Sequence, residues 1–570
     1  MTLALPATAQ DFMTWTWAEI EPHFSELAAR PLNDATVGAW LANWSRLSEL
    51  LDEAHARLYI ATTLDTTDQA AEERYHTFLS DIFPQAQASD QVLKQRLLDS
   101  KLEPDGFAIP LRNMRAEAEL FRPENLPLLT EEHKISSRLN RVLGTQTIEW
   151  DGEELTLVQA ERLQFDDRRE VREAAWRKVS QRQLADRDAI NALWAEYLPL
   201  RQKLAANAGF DSFRDFRWRQ LQRFSYTPQD CRTFHAAIEE VVVPAAQRIY
   251  ERRRARLGVE SLRPWDLVVD PLGRPPLKPF ETVQELEEKG EAIFRRVDPA
   301  FSDYFATMRR EGLLDLENRP GKGPGAYSSS LEASKRAFIF MNATGVRDNV
   351  RTLLHESGHS FHTFETYSQP LYHQHSVPIE FAEVASMGME LLASPYLTTD
   401  QGGFYSPEDA ARDRVAHLEK IVLFWPYMAV VDAFQHWVYE HPEQASTPEN
   451  CDTQWAALWD RFMVGIDYSG LEPDKRNGWH RKHHIHRLPF YYVEYGLAQL
   501  GAVQVWRNAL SDQAAAVAAY RRALALGGTV DLPELYRTAG ARFAFDAKTL
   551  REAIDLLEGT IDALESGAPA

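Results

Sequence analysis

Residues 353–359 read Leu353-Leu354-His355-Glu356-Ser357-Gly358-His359. The apolar pair before the first histidine places the stretch inside a helix, where residues i and i+4 share one face. Both imidazoles can then reach a single ion. Zinc takes neutral imidazole nitrogens, and a catalytic zinc site keeps one coordination position open for water. Glu356 stands one position on, where it can accept a proton from that water. Ser357 and Gly358 are poorer helix formers than alanine. Their place inside a helix predicts that something approaches its backbone closely there.

A third ligand is expected downstream. Pro378 to Leu392 reads as a helix starting at Pro378 and ending before Pro395, apolar or small almost all round and therefore buried. Its acids are Glu380, Glu383 and Glu390, near one stripe. A buried carboxylate needs a cation or donors. One reading makes Glu383 a metal ligand, with Glu380 or Glu390 orienting a ligand histidine; the other makes the stripe an acidic solvent face.

Further on, four of the 17 histidines fall between His480 and His486, followed by Phe490-Tyr491-Tyr492-Val493-Glu494-Tyr495. A second metal site among these histidines is one reading, and packing or surface roles are another. Tyr and His donors are also what stabilises a tetrahedral oxyanion. Tyr491, Tyr492 and Tyr495 span about one helical turn, so at least one can point into a cleft. Gly321-Lys322-Gly323-Pro324-Gly325 lacks the spacing of a phosphate loop, and Pro324 removes a donor. It reads as a mobile loop able to close over a substrate.

Most of the remaining chain reads as helix. Leu155 to Asn207 contains no glycine and one proline, Pro199, and predicts two or three long amphipathic helices. Ser511-Asp512 can cap a helix through Leu526, stopped by Gly527-Gly528. Asp546 can cap another running to Leu564, leaving a frayed tail at Ser566–Ala570. Asp151-Gly152 predicts a hairpin between Thr147–Trp150 and Glu154–Leu157. Arg336–Asn342 is a further strand, able to pair with the main chain of a peptide. The proline-rich residues 259–281 read as a linker or a functional loop.

The 570 residues carry a net charge of −21 and two cysteines, Cys231 and Cys451. The acidic balance argues against nucleic acid as the main partner. The longest uncharged apolar run, Ile421–Val431, holds Pro426 and is far short of the roughly 20 residues of a membrane span. The first basic residue is Arg30, so Leu3–Ala9 lacks the basic flank of a signal peptide. A reduced, cytoplasmic setting is the expectation.

Taken together, these residues resemble the thimet oligopeptidase and oligoendopeptidase F family of zinc peptidases. The matching signature is His355-Glu356-x-Gly358-His359-x-x-His362, with Glu383 in a second helix 24 residues after His359. The loop Gly321-Lys322-x-x-Gly325-Ala326, the Phe490-Tyr491-Tyr492 stretch and Leu204–Arg214 carry the likeness further. The resemblance implies a mainly α fold, a large helical body split by a deep substrate channel, with a small β-sheet near the metal site. The expected division is an N-terminal helical region over 1–195, with the hairpin, and a catalytic region over 196–570. The resemblance also implies one zinc per chain and cleavage of short peptides at internal bonds. Carried over, His355, His359 and Glu383 are ligands and Glu356 is the general base. His484, Tyr491, Tyr492 and Tyr495 fall where the family has its transition-state donors. The sequence departs at His486, where relatives tend to have an aromatic residue. Two other readings stay open. A helical zinc carboxypeptidase would capture a substrate C-terminus with Arg481, Lys482 or Arg487. A catalytically silent relative would only bind peptides.

Overall fold

The computed structural model describes residues 4–567. The fold is mainly α, with five short strands among the described residues. Two compact units are interleaved along the chain. One is built from Met1–Ala118, Leu277–Asp413 and Ala498–Phe543, the other from Glu119–Pro276, Arg414–Leu497 and Ala544–Ala570. The sequence reading divides the chain once, between residues 195 and 196.

The first unit contains a three-stranded sheet. Strands β3 (Leu314–Glu317), β4 (Tyr327–Leu331) and β5 (Arg336–Ala343) lie in the order β3-β5-β4. β5 runs parallel to β3 and antiparallel to β4, so β4 is an edge. β5 leads directly into the helix Arg347–Thr366. The turn between them is closed by Asn349, whose Oδ1 accepts from the N–H groups of Thr344 (2.8 Å) and Val346 (3.2 Å). This satisfies donors that a helix start leaves open. The apolar face of the helix enters a core with Phe294, Phe301, Ile339 and Val384. Phe361 stacks on Phe301 with ring centroids 4.9 Å apart.

The Gly321–Gly325 loop, expected to be mobile, is tied down. The Lys322 side chain is fully buried, and its Nζ donates to the Asp315 carboxylate and to the carbonyls of Glu317 (2.8 Å) and Met341 (2.6 Å). The loop is also stitched to the helix Val37–Leu64 and the residues after it. Gly323 N–H donates to Thr63 O at 2.8 Å, and Thr66 N–H to Gly321 O at 2.6 Å. An ammonium buried this way needs all these acceptors, and they leave the loop no freedom to swing as a lid.

The turn from β4 to β5 reaches the same helix. Ser334 N–H donates to Glu53 at 2.7 Å, and Lys335 Nζ to Glu49 at 2.7 Å. Beside them His375 Nδ1 lies 2.8 Å from Glu332, and Tyr372 donates its hydroxyl to Asp52 at 3.3 Å. Burial, then Glu332, push the Asp52 carboxyl up to about 7.

In the second unit the hairpin forms where Asp151-Gly152 predicts it. β1 (Thr147–Trp150) pairs with β2 (Glu153–Thr156), and both turn residues have positive φ, 51° and 83°. Two long helices follow, Arg169–Ala185 and Arg187–Asn207. The proline-rich segment is pinned rather than loose. Asp266, fully buried, accepts from Arg169 (2.7 Å), Arg172 (3.2 Å) and the N–H of Arg263 (3.0 Å). The capped helices near the C-terminus are Gln513–Leu524, in the first unit, with Asp512 accepting from Ala515 N–H, and Ala547–Ser566, in the second, with Asp546 accepting from Thr549 N–H. Of the tail expected to fray, Ser566 is helical, Gly567 is the left-handed cap, and 568–570 lie outside the described residues. No described helix is long and apolar enough to cross a membrane.

Candidate metal centre and its surroundings

The helix Arg347–Thr366 lies against the helix Ile379–Ala393, and Gly358 allows it. A Cβ built there would stand 2.6 Å from both Ala385 O and Ser386 Cα. The close approach expected at Gly358 is therefore made by the backbone of the glutamate-bearing helix. This contact brings together His355, His359 and Glu383, each with a ligand atom within 4.8 Å of the others. Glu383 Oε2 lies 3.5 Å from His355 Nε2 and 3.7 Å from His359 Nε2. Ser386 donates its hydroxyl to the same Glu383 oxygen at 2.9 Å and fixes its rotamer.

Glu390 takes the other side of the first histidine, with Oε1 2.8 Å from His355 Nδ1. This holds the ring so that Nε2 faces Glu383. Of the two glutamates weighed for that role, Glu390 fills it. Glu380 is buried, and its main-chain oxygen accepts from Tyr536 at 3.2 Å. An acidic solvent face is excluded, because Glu380 and Glu383 are both buried. Arg351, which the sequence reading did not single out, stands 4.0 Å from Glu390 and bonds both Asp413 oxygens at 3.2 Å. His362 lies outside the group, packed edge-on against Phe381.

The electrostatics favour a cation. Burial works against a charged His355, but Glu390, Glu383 and Glu356 outweigh it and raise that imidazole to about 9. Burial, followed by the positive charge of His355, holds His359 well below the ordinary value. Burial also raises Glu383, and pushes Glu356 up to about 7. Three carboxylates thus crowd two imidazoles. Two imidazole nitrogens and one carboxylate oxygen, facing one point, are a donor set that fits zinc.

Glu356 is buried beside this group, and the backbone N–H of Ser328 on β4 favours its charged form. Ser360 donates its hydroxyl to Glu356 O at 3.0 Å, and the hydroxyls of Ser328 and Ser360 meet at 2.9 Å. Ile339 N–H bonds Leu313 O, away from β4, so its partner Ser328 turns its own main-chain groups outward. Arg336–Asn342, expected to pair with a peptide, is contained in β5, which has a neighbour on both sides. The edges are β3 and β4 instead, and β4 is the one beside Glu356.

In the second unit the four other candidate residues lie together. The His484 ring is 4.9 Å from that of Tyr492, 6.1 Å from Tyr491 and 6.2 Å from Tyr495. Tyr492 begins the helix Tyr492–Ser511, and Lys482 Nζ sits 3.8 Å from its ring centroid. Burial lowers Lys482 to about 8 and His484 to about 3, and raises the Tyr492 phenol. Phe490 turns the chain into this helix with φ 67°, a region uncommon for an aromatic residue. The turn is held from both sides. Its N–H donates to Gln435 Oε1 at 2.6 Å, and its carbonyl accepts from buried Arg223. Strain of this kind persists where the surroundings over-determine it.

Of the other histidines there, His483 is exposed and His480 and His486 pack. His480 Nε2 meets Asn191 Oδ1 at 2.7 Å, and fully buried His486 stacks on Trp479. No group of metal-capable side chains among the described residues includes His480, His483, His484 or His486. Arg481 donates to Gln183 at 3.0 Å, and Arg487 to Asn140 at 3.1 Å.

The sequence profile of peptidase family M3 matches residues 162–554. Among curated proteins, oligoendopeptidase F of Lactococcus lactis subsp. cremoris is 34% identical over 151 residues, 25% of this chain and 23% of that one. Oligopeptidase PepF of Bacillus subtilis is 25% identical over 225 residues, 37% of this chain and 32% of that one. The matched segments thus span about a quarter to a third of these relatives. Among solved structures, PZ peptidase A with an inhibitor superposes with a TM-score of 0.85 at 25% identity, covering 96% of this chain and 98% of that one.

Proposed function

Since the chain belongs to peptidase family M3, we propose that it is a zinc-dependent endopeptidase hydrolysing internal bonds of short oligopeptides, with Glu356 as general base. The observation that carries this reading is the donor set of His355, His359 and Glu383, with Glu356 buried beside it under an open strand edge.

Zinc held by these three residues supplies a Lewis acid that activates water and polarises a carbonyl at neutral pH. The chain does the rest. β4 offers outward main-chain groups at Ser330 and the carbonyl of Ser328, so an extended peptide can add as a further strand. Binding through main-chain atoms tolerates varied side chains. Glu356 takes a proton from the attacking water, and its raised pKa makes it a stronger base than an ordinary carboxylate. It then returns the proton to the leaving amine. Tyr491, Tyr492, Tyr495 and His484 are the donors proposed for the oxyanion.

A short peptide blocked at both ends tests this directly. The wild type should cut it internally, and a chelator should abolish the cleavage. Glu356→Gln should keep its metal and its fold while losing about 10²–10⁴ in turnover, because an amide cannot accept the proton. Release of single residues from unblocked peptides only would favour the carboxypeptidase reading. No hydrolysis of any peptide by metal-loaded protein would leave a silent binding protein.

A further inference from the structure

A second group of metal-capable side chains converges in the other unit. Cys231 and His235 stand one turn apart on the helix Pro228–Ala237, and Asp432 and His436 one turn apart on Pro407–Glu440. Cys231, Asp432 and His436 each place a donor atom within 4.8 Å of the other two. All are buried, Cys231 and Asp432 completely. His235 Nε2 lies 2.8 Å from Asp432 Oδ2. His436 Nε2 lies 3.4 Å from the same oxygen without hydrogen-bonding geometry. We propose that Cys231, Asp432 and His436 bind a divalent ion of the zinc class, with His235 backing the carboxylate.

Hydrogen bonding alone does not account for the cluster. Asp432 Oδ1 and both ring nitrogens of His436 are buried without a hydrogen-bond partner. A neutral imidazole needs an acceptor on one nitrogen and a donor on the other. A cation uses a lone pair from the ring and one from the carboxylate together. The 3.4 Å between His436 Nε2 and Asp432 Oδ2 is also a spacing that two ligands of one tetrahedral ion adopt. One sulfur, one oxygen and one nitrogen suit zinc or cobalt(II), whereas magnesium and calcium want oxygen alone. His235 against Asp432 is a partner that orients a ligating carboxylate.

Burial closes the ion's remaining position to any substrate, so its role would be to hold structure. It would staple the two helices. It would also stiffen the floor beneath the tyrosines, since His436 packs against Phe490 with ring centroids 5.1 Å apart. Gln435, its neighbour in sequence, holds the Phe490 N–H.

Cobalt separates this site from the one already described, because only a thiolate ligand gives a sulfur-to-cobalt charge-transfer band, and His355, His359 and Glu383 contain no sulfur. The full chain would be produced in cobalt-supplemented medium without added zinc. The wild type should show the band and about two metal equivalents, rather than the single equivalent the sequence reading expects. His359→Ala and Cys451→Ser should keep the band, while Cys231→Ser should lose it and drop to about one equivalent. Absence of the band from folded wild type would overturn the proposal. So would a band that survives Cys231→Ser or vanishes in Cys451→Ser. Wild type decides even if Cys231→Ser does not fold, because the first outcome needs no variant.

Discussion

His355 is held by two glutamates that act on opposite nitrogens. Glu383 faces Nε2 at 3.5 Å, and Glu390 accepts from Nδ1 at 2.8 Å. Glu390→Ala should therefore lower metal affinity about 10–100-fold while leaving the three ligands in place. Competition against a chelator measures it, and unchanged affinity would remove Glu390 from the site. The tyrosines invite a different substitution. Lys482 lies over the face of the Tyr492 ring, which phenylalanine keeps, so Tyr492→Phe deletes little except the hydroxyl. If that hydroxyl meets an oxyanion, kcat should fall more than KM rises, by up to about 10²–10³. An unchanged kcat in both Tyr492→Phe and Tyr491→Phe would exclude the phenols. The motif from His355 to His359 was legible because its spacing is local. The choice of Glu390 over Glu380 was not, since it depends on how two helices are rotated against each other.

At the scale of elements, Gly358 is the point on which the metal centre depends. Alanine there would drive a methyl into the backbone at Ala385 and Ser386 and part the helices that carry the histidines and Glu383. Gly358→Ala should cost roughly 1–3 kcal/mol, seen as a lowered Tm, and should release metal. Full metal content at unchanged Tm would show that the helices are not in register there. Helix ends were readable because caps are local, as Asp512 and Asp546 show. The hairpin was readable from Asp151-Gly152. β4 was not, because Tyr327-Ser328-Ser329-Ser330-Leu331 has no β-branched residue and no alternation to mark a strand. Its partner β5 carries the apolar signal, so the sequence points to the central strand rather than the edge as the one that pairs with a peptide. The glycine-rich loop misled in a similar way. Its composition suggests freedom, but one lysine, aimed at carbonyls distant in sequence, removes it.

Across the whole molecule, stability should depend on pH through Asp52. Its folded-state pKa of about 7 lies above the ordinary carboxyl value, so the folded chain holds that proton more tightly than the unfolded one does. The contribution is present below about pH 4 and is lost as pH rises through about 7. Asp52→Asn should then raise stability at pH 8 by on the order of 4 kcal/mol and change it little at pH 4. Thermal unfolding at the two pH values measures this, and an equal shift at both would detach Asp52 from the effect. The interleaving of the two units bears on synthesis. Each unit includes a segment made only after residue 497, Ala498–Phe543 for one and a stretch beyond it for the other. At about 5–20 residues per second, more than 20 seconds pass before either can close. A nascent chain stopped short of Ala498 should be open to protease along its length, metal helix included, and a chaperone that shields it has two unfinished bodies to hold at once.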